Sequence, residues 1–166
     1  MQSFEDNLKI GDRGEDVVRN YLPQEGIMVY SPEKVAAHCV DFVCHKIGKK
    51  HKWVDRLTWS DINWINYISE EKLFTYILKD KDELAGYFEL LFNKNTKEAE
   101  IAYFGILEEY FGQKLGGYLL SEAIKYSFAM SSSRVWVHTC SLDHKNALEN
   151  YLSRGMKIFK TETLIR

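Results

Sequence analysis

The stretch that most constrains this chain is Glu98–Ile106 followed by Phe111-Gly-Gln-Lys-Leu-Gly-Gly117 and an apolar helical period. It reads as a strand, a glycine-bearing turn and the first turns of a buried helix. Such a junction leaves several backbone N–H groups unpaired and aligned at the positive end of a helix dipole. That is a place for a phosphate, so the junction predicts a pyrophosphate-bearing ligand.

The chain of 166 residues is long enough for one domain with a sizeable core, and its 45% hydrophobic content is ordinary for a globular protein. A net charge of -2 and the absence of a Lys/Arg stripe argue against a nucleic-acid partner. The longest basic cluster, Lys49-Lys50-His51-Lys52, is too short to argue for a membrane partner. No apolar run approaches the ~18 residues of a transmembrane helix, and the N-terminus lacks the order of a secretion signal. Three irregularly spaced cysteines, Cys39, Cys44 and Cys140, suggest reduced thiols and a cytoplasmic location. His38, Cys39, Cys44 and His45 match no zinc spacing, so no metal is expected.

Residues 1–23 read as an N-terminal helical segment, with a helix over Gly14 to Leu22 packed outside the domain. Ile27–Tyr30 is a short strand. Ser31-Pro32-Glu33 starts a helix that ends at Gly48, and Ser60-Asp61 starts another carrying Ile62, Trp64, Ile65 and Ile68. Leu73–Leu78, Leu84–Phe92 and Glu98–Ile106 form a three-strand meander. Leu115–Ala129 is helical, with Leu115, Leu119 and Ala123 on one line and Leu120, Ile124 and Phe128 on the next. Arg134–Cys140 is a buried strand, Asp143 caps a helix that ends before Gly155, and Met156–Phe159 starts a final strand. The closing strand–helix–strand–helix–strand order implies parallel pairing through a right-handed crossover.

Residues 24–163 in this arrangement resemble the GNAT superfamily of acetyl-CoA-dependent N-acetyltransferases. Two motifs carry the likeness. The family's loop, Arg/Gln-x-x-Gly-x-Gly/Ala, falls on Phe111 to Gly116; Phe111 replaces a polar residue and Lys114 replaces the first glycine, while Gly112, Gly116 and Gly117 remain. The family's Asn-x-x-Ala-x-x-x-Tyr element is similar to His144 through Ala147 to Tyr151, with His144 at the Asn position. Trp53-Val-Asp-Arg56 and Val137-His-Thr-Cys-Ser-Leu-Asp-His144 also resemble one bacterial branch of that superfamily.

The resemblance implies an α/β (α+β) fold with a mixed, mostly antiparallel sheet of about six or seven strands and helices on both faces. It implies one acetyltransferase domain and an acetyl group moved from acetyl-CoA, as co-substrate, to a primary amine of a small molecule or peptide in a ternary complex. Homodimers are common in the superfamily. It further implies that Phe104, Gly105 and Ile106 pair with the pantetheine arm. Gly112, Gln113, Lys114, Leu115, Gly116 and Gly117 would then hold the pyrophosphate. His144 either bonds the coenzyme or helps cap its helix.

Glu100 is the candidate base, placed by simple alternation on the face of Ala102 and Phe104, with Glu98 and Glu89 as substitutes; otherwise it is a solvent-facing carboxylate. Tyr151 is the candidate acid, or else a core tyrosine. Trp53, Asp55, Arg56 and Trp59 form an acceptor lid or a structural cap, and His138 is an acceptor residue or a satisfied core histidine. A catalytically weak acyl-CoA-binding module and an acyltransferase with a longer donor are the competing readings.

Overall fold

The computed structural model describes residues 2–10, 26–30, 46–47, 58–68 and 72–165. They build one seven-stranded sheet from β1 (Gln2–Ile10), β2 (Ile27–Tyr30), β3 (Leu73–Asp80), β4 (Glu83–Asn93), β5 (Glu98–Ile106), β6 (Arg134–Cys140) and β7 (Lys157–Ile165), in the order β2-β3-β4-β5-β6-β1-β7. Only β5 and β6 pair in parallel; the other neighbours are antiparallel. Among the described residues, α1 (Asp61–Ile68), α2 (Leu115–Ala129) and α3 (Ala147–Ser153) accompany the sheet, and residues 46–47 are helical as well.

The meander follows from local chemistry. Lys81 turns the β3–β4 hairpin with φ +53, and Asn93 Oδ1 accepts from the amides of Asn95 and Thr96 in the next turn. α1 starts on a reciprocal cap: the amide of Asn63 donates to Ser60 Oγ, and the amide of Ser60 donates to Asn63 Oδ1.

Alternate residues of the strands feed two cores on opposite faces. Tyr76, Leu78, Phe88, Leu90 and Ile101 meet Leu115, Leu119, Leu120, Ala123 and Ile124 of α2. Ile77, Tyr87 and Leu107 meet Trp64 of α1 and Ile47 on the other face. Helices on both faces of a mixed, mostly antiparallel sheet is the architecture expected from the sequence. No helix among the described residues is long and apolar enough to cross a membrane.

Two expectations are corrected. Residues 2–10 are a strand, not part of a helical segment; the expected helix over Gly14 to Leu22 lies outside the described residues, as does most of the helix from Ser31 to Gly48. β1 enters between β6 and β7, antiparallel to both, so those two run parallel without touching. The strand is hidden in the sequence because Asp6 interrupts the apolar alternation of Phe4, Leu8 and Ile10.

Candidate active site

β5 and β6 pair only at Glu98↔Arg134, Ala99↔Val135 and Glu100↔Trp136. Beyond Glu100, β5 stays bonded to β4 as far as Ile106 while β6 diverges. The result is a slot through the sheet, one wall of which is the β5 backbone of residues 101–106. A strand edge that its neighbouring strand leaves in this way presents N–H and C=O groups to an extended partner. Phe104, Gly105 and Ile106 lie along it.

A β-bulge decides what faces each side of the slot. Leu90 lies opposite Ile101 but Glu89 lies opposite Tyr103, so Ala102 is the extra residue. Glu100 and Tyr103 therefore share the face turned away from α2, and Phe104 turns toward α2. Simple alternation would place Glu100 with Phe104; the bulge reverses that relation. Nothing in Ala99-Glu-Ile-Ala-Tyr103 marks the bulge in the sequence.

Tyr151 of α3 approaches from the opposite side. Its ring meets that of Phe104 edge to face at 6.3 Å between centroids. The candidate acid and base thus stand on opposite faces of one slot. Burial, and secondarily the charge of Asp143, push the Tyr151 phenol well above its ordinary value, so it keeps its proton. Burial also raises the Glu100 carboxyl, opposed in part by the charge of His138. His138 is exposed on the same face as Glu100, with its ring 6.1 Å from that of Trp136.

The loop after β5 passes through a 3-10 turn, Glu108–Tyr110, before α2 begins. Gly112 takes φ +80 and Lys114 takes φ +62, a left-handed conformation that glycine adopts freely. Lys114 therefore reproduces the backbone shape its replaced glycine would give. Turns of this kind gather successive N–H groups into anion-binding concavities. α2 starts without a side-chain cap, and its first backbone bond runs from the Tyr118 amide to the Lys114 carbonyl at 3.3 Å. The amides of Leu115, Gly116 and Gly117 precede that bond and point out of the helix end. Gln113 and Lys114 are exposed beside them.

α3 is bolted to this first turn. Asn150 Nδ2 donates to the Gly116 carbonyl at 3.1 Å, and Arg154 Nε donates to the Gly117 carbonyl at 3.3 Å. A Cβ on Gly117 would overlap Arg154 Nη2. From the sequence, Gly116 and Gly117 belong to the turn alone, and no sequence signal announces Asn150 and Arg154 as partners of that turn.

The Phe111 ring packs against His144 at 5.0 Å, linking the loop to the turn before α3. His144 Nδ1 accepts from the Asn146 amide at 3.1 Å, and Asn146 holds the N-cap position of α3. Asp143 does not cap that helix: it accepts from Thr139 Oγ1 at 2.6 Å and the Cys140 amide at 3.2 Å, closing the end of β6. A cavity of about 300 Å³ opens here, lined by Thr139, Cys140, Asp143, His144, Lys145 and Leu148 among others.

On the other face, Trp59 packs edge to face on Trp64 and Tyr67. The Tyr67 hydroxyl donates to Oε2 of fully buried Glu89 at 2.8 Å, a bond no sequence signal announced. Trp53, Asp55 and Arg56 lie outside the described residues.

The profile of the Acetyltransferase (GNAT) family matches residues 40–156. No curated protein matches the chain. Among solved structures, a GCN5-related N-acetyltransferase from Sphaerobacter thermophilus superimposes with a TM-score of 0.72 at 12% identity, over 96% of this chain and 49% of that one. Spermidine N-acetyltransferase from Vibrio cholerae, in complex with CoA and spermine, gives 0.66 at 17% identity over 80% and 81%. An aminoglycoside acetyltransferase from an uncultured soil metagenomic sample gives 0.66 at 11% identity over 85% and 93%. The chain spans about half the length of the Sphaerobacter protein. At these identities the structural likeness speaks for the fold; the profile covers most of the chain. The chain belongs to the acetyltransferase (GNAT) family.

Proposed function

We propose that the chain is one acetyltransferase domain that moves an acetyl group from acetyl-CoA to a primary amine by direct attack in a ternary complex. The observation that carries this reading is the slot between β5 and β6, with Tyr151 on one face and Glu100 on the other. When bound, the coenzyme supplies the acyl group as a thioester. The uncapped amides of 115–117 and the turn at 112–114 fit its pyrophosphate. The free edge at 104–106 fits its amide-bearing arm, and an N–H on that edge would stabilise negative charge on the acyl oxygen.

An alkylamine with a pKa near 10.4 is neutral in only about one molecule per thousand near pH 7.4. A Glu100 carboxylate oxygen takes that proton, directly or through water, from the face opposite the coenzyme. Its raised pKa brings it closer to neutrality than an ordinary carboxylate, which suits a general base. Tyr151 Oη holds a proton for the departing sulfur. Solved relatives of this fold include enzymes that act on amines, one of them caught with CoA and spermine.

The test is calorimetry with coenzyme A, followed by release of free CoA from acetyl-CoA across a panel of amines. Glu100→Gln and Tyr151→Phe should each lower turnover while coenzyme binding survives. Binding without turnover on any amine would favour the binding-only reading. Turnover only with longer acyl-CoA donors would reassign the donor.

A further inference from the structure

The sheet face turned away from α2 carries a track of rings and carboxylates. Trp59 and Tyr67 have centroids 5.2 Å apart. Tyr67 donates to Glu89 at 2.8 Å, and Glu89 pairs across β4–β5 with Tyr103. Past the bulge come Glu100 and its parallel partner Trp136, at the point where the slot opens. Trp59, Tyr67, Tyr103 and Trp136 are half-buried, so each keeps surface to offer.

We propose that this track is the acceptor subsite and that it takes an alkylammonium, an aliphatic amine in its protonated form with no carboxylate beside the nitrogen. The proposal rests on the acetyl-transfer reading for the location of the subsite.

Two physical reasons select that class. Aromatic faces attract cations through the ring quadrupole, and the attraction strengthens as water is excluded. A carboxylate at the end of the track attracts the same cation and repels an acceptor that carries its own carboxylate next to the amine. An ammonium drawn along the rings arrives at Glu100, the group that must take its proton. Glu89 is fully buried and does not touch the ligand. It is a positioning residue, holding the Tyr67 hydroxyl and through that ring the stance of Trp59.

The decisive probe is choline against its neutral isostere 3,3-dimethylbutan-1-ol, titrated calorimetrically onto the full chain with and without coenzyme A. Choline has the cation but no transferable proton on nitrogen, so turnover is not involved. The expected result is choline binding at least tenfold tighter than the alcohol. That preference should collapse in Glu100→Gln and Trp59→Leu. Tyr67→Phe, which keeps the ring and loses the Glu89 bond, should weaken choline severalfold. Equal affinity for cation and alcohol, or a preference untouched by both Glu100→Gln and Trp59→Leu, overturns the proposal. If Trp59→Leu does not fold, Glu100→Gln with Tyr67→Phe decides the matter. Failure of coenzyme A to bind would sink the acetyl-transfer reading, while the choline preference measured without coenzyme still judges this one.

Discussion

Adjacent glycines at the start of α2 should respond to alanine with opposite signs. Within a helix, Gly→Ala ordinarily stabilises by ~0.5–1 kcal/mol. Gly116 fits that rule, since a Cβ there meets only Asn150 Nδ2 at 3.7 Å, an ordinary contact. At Gly117 the new methyl would overlap Arg154 Nη2 and lie 3.0 Å from Cζ. Arg154 is buried and bonded to the Gly117 carbonyl. If Arg154 stays, overpacking costs about 1–3 kcal/mol; if it moves, it forfeits a charge-assisted bond of about 1.5–3 kcal/mol. After the propensity gain, Gly117→Ala should destabilise by about 1–2 kcal/mol. For a chain of this size that lowers the melting temperature by roughly 3–6 °C. Urea unfolding and thermal melts of both variants read this directly. Repeating Gly117→Ala in an Arg154→Leu background should remove most of the penalty, because the clash and the bond go together. If Gly117→Ala stabilises the chain as Gly116→Ala does, the account of how α3 is fastened to α2 is wrong.

Glu100→Gln should cut kcat by roughly 10²–10⁴, the range for a lost general base, and abolish an acid limb of kcat/KM that sits above the ordinary carboxylate range. Because the folded state raises the Glu100 pKa, it favours the protonated form. That stabilisation is complete below the unfolded pKa and disappears as pH rises through the folded value, so Glu100→Gln should melt higher than wild type at neutral pH. Tyr151 is raised too, so its stabilising share persists through neutrality and is lost only above its unfolded value near pH ~10. Alkaline melts should therefore show Tyr151→Phe losing less stability than wild type above that pH. At Lys114 (φ +62), Lys114→Gly should leave the melting temperature nearly unchanged, relief of the left-handed backbone offsetting unfolded-state entropy. Lys114→Val should cost about 1–2 kcal/mol and weaken coenzyme A binding by isothermal titration.

The sequence by itself determined the elements whose forces are local. The alternation of Glu98 and Glu100 with Ala99 and Ile101 marked the start of β5, the 3.6-residue apolar period made α2 with its buried Leu119, Leu120 and Ile124, and Ser60-Asp61 started α1. The turn before α2 was legible for the same reason, since glycine at 112, 116 and 117 is a local statement about backbone freedom. Tertiary structure alone decided the rest. β1 carries Asp6 among its apolar residues, so its place between β6 and β7 is set by two distant strands whose open edges it fills. The bulge at Ala102 comes from the register between β4 and β5, a relation between strands that neither sequence encodes alone, and it puts Glu100 across the slot from Tyr151. Glu89 reads as one more carboxylate until the fold buries it and brings Tyr67 from another element to satisfy it. A side chain's type is written in the chain, but what it faces is fixed only when distant segments pack against it.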